Sequence, residues 1–131
     1  MSDLDGLVPW LHGQLDAREK LARAAAEAVE GADWSPRGDG GVAARGPRGL
    51  TVALGPDGYM APAVEDHIAE HDPARALAEI SAIREVIYLA ERAHDYHETF
   101  LNGFGSAMAG AVRLFAVRYA DRPGYKETWR P

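Results

Sequence analysis

The apolar positions of the first thirty residues fall at helical steps. Leu4, Leu7, Val8, Leu11 and Leu15 recur every three or four residues, and Leu21, Ala22, Ala25 and Val29 continue them. That spacing puts one apolar stripe along one face of an α-helix, so a helix is predicted over residues 4–29, capped by Ser2 or Asp3. Pro9 and Gly13 do not suit a helix interior, because proline removes a backbone donor and crowds the preceding turn. A kink or a late start is expected there. After Gly31 the pattern changes to short β-prone pieces at Trp34, at Val42-Ala43 and over residues 50–54, set among glycines and prolines. Gly55-Pro56-Asp57-Gly58 reads as a hairpin connection, and a small antiparallel meander is predicted.

Asp72-Pro73 is a helix start: the aspartate caps an early backbone N–H, and a proline in the first turn sacrifices no hydrogen bond. The helix it opens carries a seam of Ile80, Ile83, Ile87 and Ala90 and a parallel stripe of Val86, Leu89, Ala93, Tyr96 and Phe100. That double stripe is broader than one small sheet covers, which makes the long helix the expected surface for a protein partner or a homodimer. Asn102-Gly103-Phe104-Gly105 predicts a break, followed by a third helix over residues 106–119 with Met108, Val112, Phe115 and Tyr119 on one side. The expected fold class is α+β: an N-terminal helix, a small antiparallel β-meander, a long central helix, and a shorter C-terminal helix with a packed aromatic tail. At 131 residues the expected organisation is a single domain spanning residues 1–131.

Composition adds exclusions. The chain is 47% hydrophobic and 26% charged, well away from the balance of disordered sequences. It has no cysteine, so disulfides and thiolate chemistry are excluded and a reducing, cytoplasmic setting is expected. The acidic start MSDLDGLVPWLHG does not resemble a signal peptide, and the most apolar run, AMAGAVRLFAV, is short of the ~18 residues of a span and interrupted by Arg113. No membrane association is expected. The net charge of −6 is uneven: residues 65–101 hold nine acids against three bases, and residues 102–131 two acids against five bases. An acidic chain is a poor match for a phosphate backbone. The local exception is the tail, where Tyr119, Arg122, Tyr125, Lys126, Trp129 and Arg130 could stack on bases, but packing of its aromatics against the core is the favoured reading.

Candidate chemistry centres on histidine. His67 and His71 are four residues apart, which sets both rings on one face if a helical turn covers residues 64–71, and such a pair can chelate a divalent metal. The zinc-protease pattern needs Glu after the first histidine and finds Ile68. The favoured reading is architectural, with His71 shaping the entry to the Asp72-Pro73 helix. The candidate ligand-binding residues are His67, His71 and Asp72, with Arg75 as anion partner. A second set, Glu91, His94, His97 and Glu98, has one Glu-x-x-His pair, whereas di-iron bundles need two. A metal site uniting His67, His71, His94 and His97 would need two antiparallel chains, because a helix rising about 1.5 Å per residue puts His94 roughly 30 Å beyond Pro73. Gly38-Asp39-Gly40-Gly41 and Gly46-Pro47-Arg48-Gly49 lack P-loop or dinucleotide spacing, so no cofactor is expected. No serine has a nucleophile-elbow context, and no catalytic residue is assigned.

Trp34, the run His67-Ile68-Ala69 with His71-Asp72-Pro73-Ala74-Arg75, and the tail residues Tyr119, Ala120, Asp121, Pro123, Tyr125 and Trp129 carry a resemblance. With them the chain is similar to a family of short proteins of actinobacteria and their phages, a domain of unknown function. An excess of arginine over lysine fits a GC-rich genome. The match spans most of the chain, but Asp33 and Ser35-Pro36 stand where those proteins tend to have a Gly-Pro-Trp turn, and residues 94–104 do not align. The resemblance implies a fold layout and a host range, and brings no activity with it. The leading expectation is therefore a non-enzymatic interaction or regulatory module. The alternative is a ligand- or metal-binding protein, hydrolytic or a small-molecule sponge, using the His67/His71 segment.

Overall fold

The computed structural model describes residues 4–96 and 102–131. In chain order the elements are α1 (Leu7–Ala28), strands β1 (Trp34–Pro36), β2 (Gly41–Ala44) and β3 (Thr51–Leu54), α2 (Pro62–Glu70), α3 (Pro73–Tyr96) and α4 (Asn102–Val117). Short 3-10 turns lie at Pro56–Gly58 and Glu127–Trp129. The class is α+β, as the hydrophobic pattern predicts. Two compact units divide the chain, one of Met1–Ala17 with Ile80–Pro131 and one of Arg18–Glu79. Among the described residues no helix is long and apolar enough to cross a membrane.

The first unit is built around one apolar cluster: Leu7, Leu11 and Leu15 from α1, Ile80, Ile83, Ile87 and Ala90 from α3, and Val112 and Ala116 from α4. α1 does start late. A turn over residues 4–6 precedes it, with the Val8 N–H donating to the Leu4 carbonyl at 2.9 Å. Pro9 is then the third residue of the helix, where a missing N–H costs little, and the helix runs through Gly13. The isoleucine seam is fully used inside this unit. Of the second stripe, Ala93 is buried and Val86 packs on the cluster, while Leu89 is 45% exposed; Tyr96 and Phe100 fall outside the described side chains.

Two expectations at the C-terminal end change. α4 begins at Asn102, so Asn102-Gly103-Phe104-Gly105 is helical. Glycine costs up to about 1 kcal/mol in a helix interior and is tolerated in this first turn. The expected break is therefore not at these four residues, and residues 97–101 lie outside the described residues. Phe115 is 36% exposed, whereas Val112 and Tyr119 are buried.

The tail packs, as favoured. Trp129 is buried, Trp10 lies 5.5 Å from both Tyr125 and Trp129 by ring centroids, and the Trp10 indole N–H donates to the Pro123 carbonyl at 2.9 Å. Tyr119 and Trp129 are thereby removed from any stacking surface. The Tyr125 hydroxyl is buried with no hydrogen-bond partner among the described residues. Tyr125→Phe is therefore expected to leave stability unchanged or raise it by up to about 1 kcal/mol; a loss above that in chemical denaturation would show that the hydroxyl is satisfied.

In the second unit the meander has the order β1-β2-β3, antiparallel throughout, with Trp34 opposite Ala44 and Val42 opposite Ala53. α2 packs against β1 and β2. The chain enters α2 through residues 55–58, which form a 3-10 turn after β3 rather than a hairpin connection. The physical reason lies downstream, where Ala61-Pro62 opens a helix with proline in its first turn and supplies no fourth strand. Glu65 of α2 is buried and accepts from the Gly41 N–H at 2.8 Å and the Gly40 N–H at 3.3 Å, which ties the helix to the β1–β2 turn. Gly40 has φ of +107°, and a Cβ there would lie 2.1 Å from the Gly58 carbonyl oxygen, so only glycine fits.

Candidate functional site

The His67–Arg75 segment is the junction between α2 and α3. α2 ends at Glu70, and His71 is its C-cap, with its backbone N–H donating to the Ile68 carbonyl at 3.1 Å. The His71 Nδ1–H donates to the His67 carbonyl at 2.8 Å, satisfying a helix-end acceptor. The two rings lie 4.4 Å apart, tilted by 39°, and both residues are exposed. Among the described residues no group of three or more His, Asp or Glu is arranged to hold a metal ion. Of the second histidine set, the side chain of His94, and His97 and Glu98, lie outside the described residues.

Asp72 is buried. One carboxylate oxygen accepts from the Arg75 N–H at 2.9 Å, capping α3, and the other accepts from the Trp34 N–H at 3.0 Å. The same side chain thus starts a helix and anchors β1. Trp34 is held again at its ring, whose Nε1–H donates to the Gly31 carbonyl at 3.0 Å. A Cβ on Gly31 would come within 2.9 Å of the Arg45 carbonyl oxygen, so the chain end of α1 and the residue after β2 approach closely only because residue 31 has no side chain. The Arg45 N–H donates to the Asp33 carbonyl at 2.7 Å.

These ties shape a groove of about 270 Å³ within the Arg18–Glu79 unit, lined by Trp34, Ser35 and Pro36, by Arg45, and by Asp66, Ala69, Glu70 and Arg75. Of the four candidate residues, only Arg75 lines it, paired with Glu70. Asp72 supports the groove through Trp34, and the two histidines are not among its lining residues. Trp34, Arg45 and Asp66 come from three separate segments, so no local spacing signals that they meet.

A profile described as a family of unknown function, DUF6221, matches residues 4–131. The chain belongs to that family. No curated protein and no solved structure matches it. The profile covers every element of this DUF6221 chain, including the groove and the C-terminal helix.

A second surface lies on that helix. α4 has one charged residue, Arg113, among its 16, and it buries Val112 and Ala116 on one side while exposing Phe104 by 54%, Leu114 by 65% and Phe115 by 36%. Phe104, Ala107, Ala111 and Leu114 with Phe115 recur at three- and four-residue steps, so they share a face. The low charge of NGFGSAMAGAVRLFAV is visible in sequence, but which of its two apolar faces turns inward is not.

Proposed function

We propose that this DUF6221 chain, of actinobacterial or phage origin, is a non-enzymatic interaction module that pairs with a second copy of itself. The observation that carries this is the outer face of α4, an apolar helix surface with large side chains exposed and no charge to favour water over a partner. The long helix contributes less than its double stripe suggests, because Ile80, Ile83, Ile87 and Ala90 serve its own core, leaving Tyr88 and Leu89 exposed.

A second copy suits the α4 face because the face is complementary to itself. In a two-fold, antiparallel pairing centred near residues 109 and 110, Phe104 of each copy meets Leu114 and Phe115 of the other. Ala107 and Ala111 fall near the crossing, where small side chains let helices approach. No like charges are brought together on this face. One helix of 16 residues makes an interface at the small, transient end of the size range, so the dimer should depend on concentration.

Light scattering over a dilution series is expected to show a dimer that dissociates on dilution. Leu114→Glu is expected to weaken association about tenfold or more, the cost of placing a charge in a desolvated contact, with an unchanged circular dichroism spectrum. Leu21→Glu, on an exposed leucine of the other unit, should leave the dimer intact. A monomer at every concentration, or equal effects of the two variants, would sink the reading.

A further inference from the structure

We propose that the groove beside Trp34 binds a small zwitterion, a free α-amino acid with an aromatic side chain. Its carboxylate would sit on Arg45, its ammonium on Asp66 and its ring against the Trp34 indole. This goes beyond self-association and does not rest on it, since every residue involved lies in the Arg18–Glu79 unit.

Charge selects the ligand class. Four ionisable side chains line the groove, Arg45 and Arg75 against Asp66 and Glu70. Arg75 and Glu70 pair with each other at 2.5 Å. Among the described residues, the Arg45 guanidinium and the Asp66 carboxylate have no partner and do not pair with one another. One cation and one anion are therefore left open to the same space. A ligand of a single sign satisfies one of them and meets the other as a like charge, whereas a zwitterion satisfies both. Guanidinium is suited to the anionic end because its planar fork can hold a carboxylate with two hydrogen bonds.

The other end of the junction offers no competing anion site. The first N–H groups of α3 are engaged, Ala74 with the Ala32 carbonyl at 3.0 Å, Arg75 with Asp72 at 2.9 Å and Ala76 with the Asp72 carbonyl at 3.0 Å. Arg45 is left to take the anion. A phosphate dianion fits poorly, because it would face Asp66 and Glu70 in a chain of net charge −6.

Size and shape narrow the class further. About 270 Å³ is below the roughly 300–1,000 Å³ of pockets for drug-sized ligands, and suits a molecule of amino-acid size. The Trp34 N–H and the Trp34 indole N–H are both spent inside the protein, so the indole can offer the ligand only its carbon surface, which an aromatic side chain matches. Ala69, buried among the lining residues, takes up little of the space.

The test is titration of the full chain with tryptophan, followed by calorimetry and by the amide spectrum of residues around the groove. Tryptamine, which lacks the carboxylate, and N-acetyltryptophan, which lacks the ammonium, are the comparison ligands. Tryptophan is expected to bind about tenfold or more tightly than either, the scale of one charge-assisted contact. Arg45→Gln should abolish the preference over tryptamine, and Asp66→Asn the preference over N-acetyltryptophan, each with an unchanged melting temperature. Both side chains are exposed, so neither change should prevent folding. No binding of tryptophan or phenylalanine overturns the proposal. So does equal binding of tryptophan and the two comparison ligands, tighter binding of guanosine monophosphate, or variants that keep the wild-type preferences.

Discussion

Asp72→Ala is expected to lower the unfolding free energy by about 2–3 kcal/mol, of which about 1 is loss of the helix cap and about 1–2 the part-buried Trp34 N–H left without its acceptor. The two contributions come from one carboxylate. It caps α3 through the Arg75 N–H and holds β1 through the Trp34 N–H from a position 5% exposed. Asp72→Ser keeps a side-chain acceptor for the cap but cannot also reach β1, so it should recover no more than the cap's share. Asp72→Asn presents an amide NH₂ to one of the two donors and should recover only one bond. Urea denaturation gives the magnitudes, and amide exchange separates them: the Trp34 amide should lose protection in Asp72→Ala and Asp72→Ser if the strand tie is real. A cost below about 0.5 kcal/mol for Asp72→Ala, the size of an ordinary surface change, would mean that the carboxylate holds neither element.

Ile87→Ala is expected to cost about 2–5 kcal/mol, the range for truncating a fully buried aliphatic side chain and leaving part of its volume empty. Ile87 is 0% exposed in the cluster that joins α1, α3 and α4. Two residues along the same helix, Leu89 is 45% exposed, and Leu89→Ala should cost the free monomer under about 0.5 kcal/mol. The pair decides which of the two stripes of α3 is core. Equal losses would place Leu89 inside and remove α3 from any account of exposed apolar surface.

Much of the layout is readable along the chain. The run from Leu4 to Leu15 and the seam from Ile80 to Ala90 are buried as their spacing predicts, because a helix of fixed period has only one way to gather such positions on one side. Asp72-Pro73 opens a helix where expected, since capping is local chemistry that needs no distant partner. The readings that moved depended on what lies elsewhere. Gly55-Pro56-Asp57-Gly58 is a turn, but a turn into α2, because turn residues redirect the chain without specifying the next element. The glycines of Asn102-Gly103-Phe104-Gly105 lie within a helix, because a propensity cost of this size is overridden by the packing of the helix they begin. Leu21 continues the N-terminal spacing but is 71% exposed, while its neighbour Ala22 is buried, so spacing alone does not tell which of the two faces inward.

The candidate residues divide the same way. His67 and His71 do share a face, with their rings 4.4 Å apart, and the His71 Nδ1–H donates to the His67 carbonyl. That Asp72 reaches back 38 residues to the Trp34 backbone could not be read locally.

By itself, the sequence determined the elements: where helices start, which positions along them are apolar, and an α+β order, all consequences of short-range sterics and periodicity. Only the tertiary structure decided which apolar face of α4 is spent on the core and which remains open. It alone brought Trp34, Arg45 and Asp66 from three segments to one groove, because burial and charge pairing depend on neighbours that are close in space and distant along the chain.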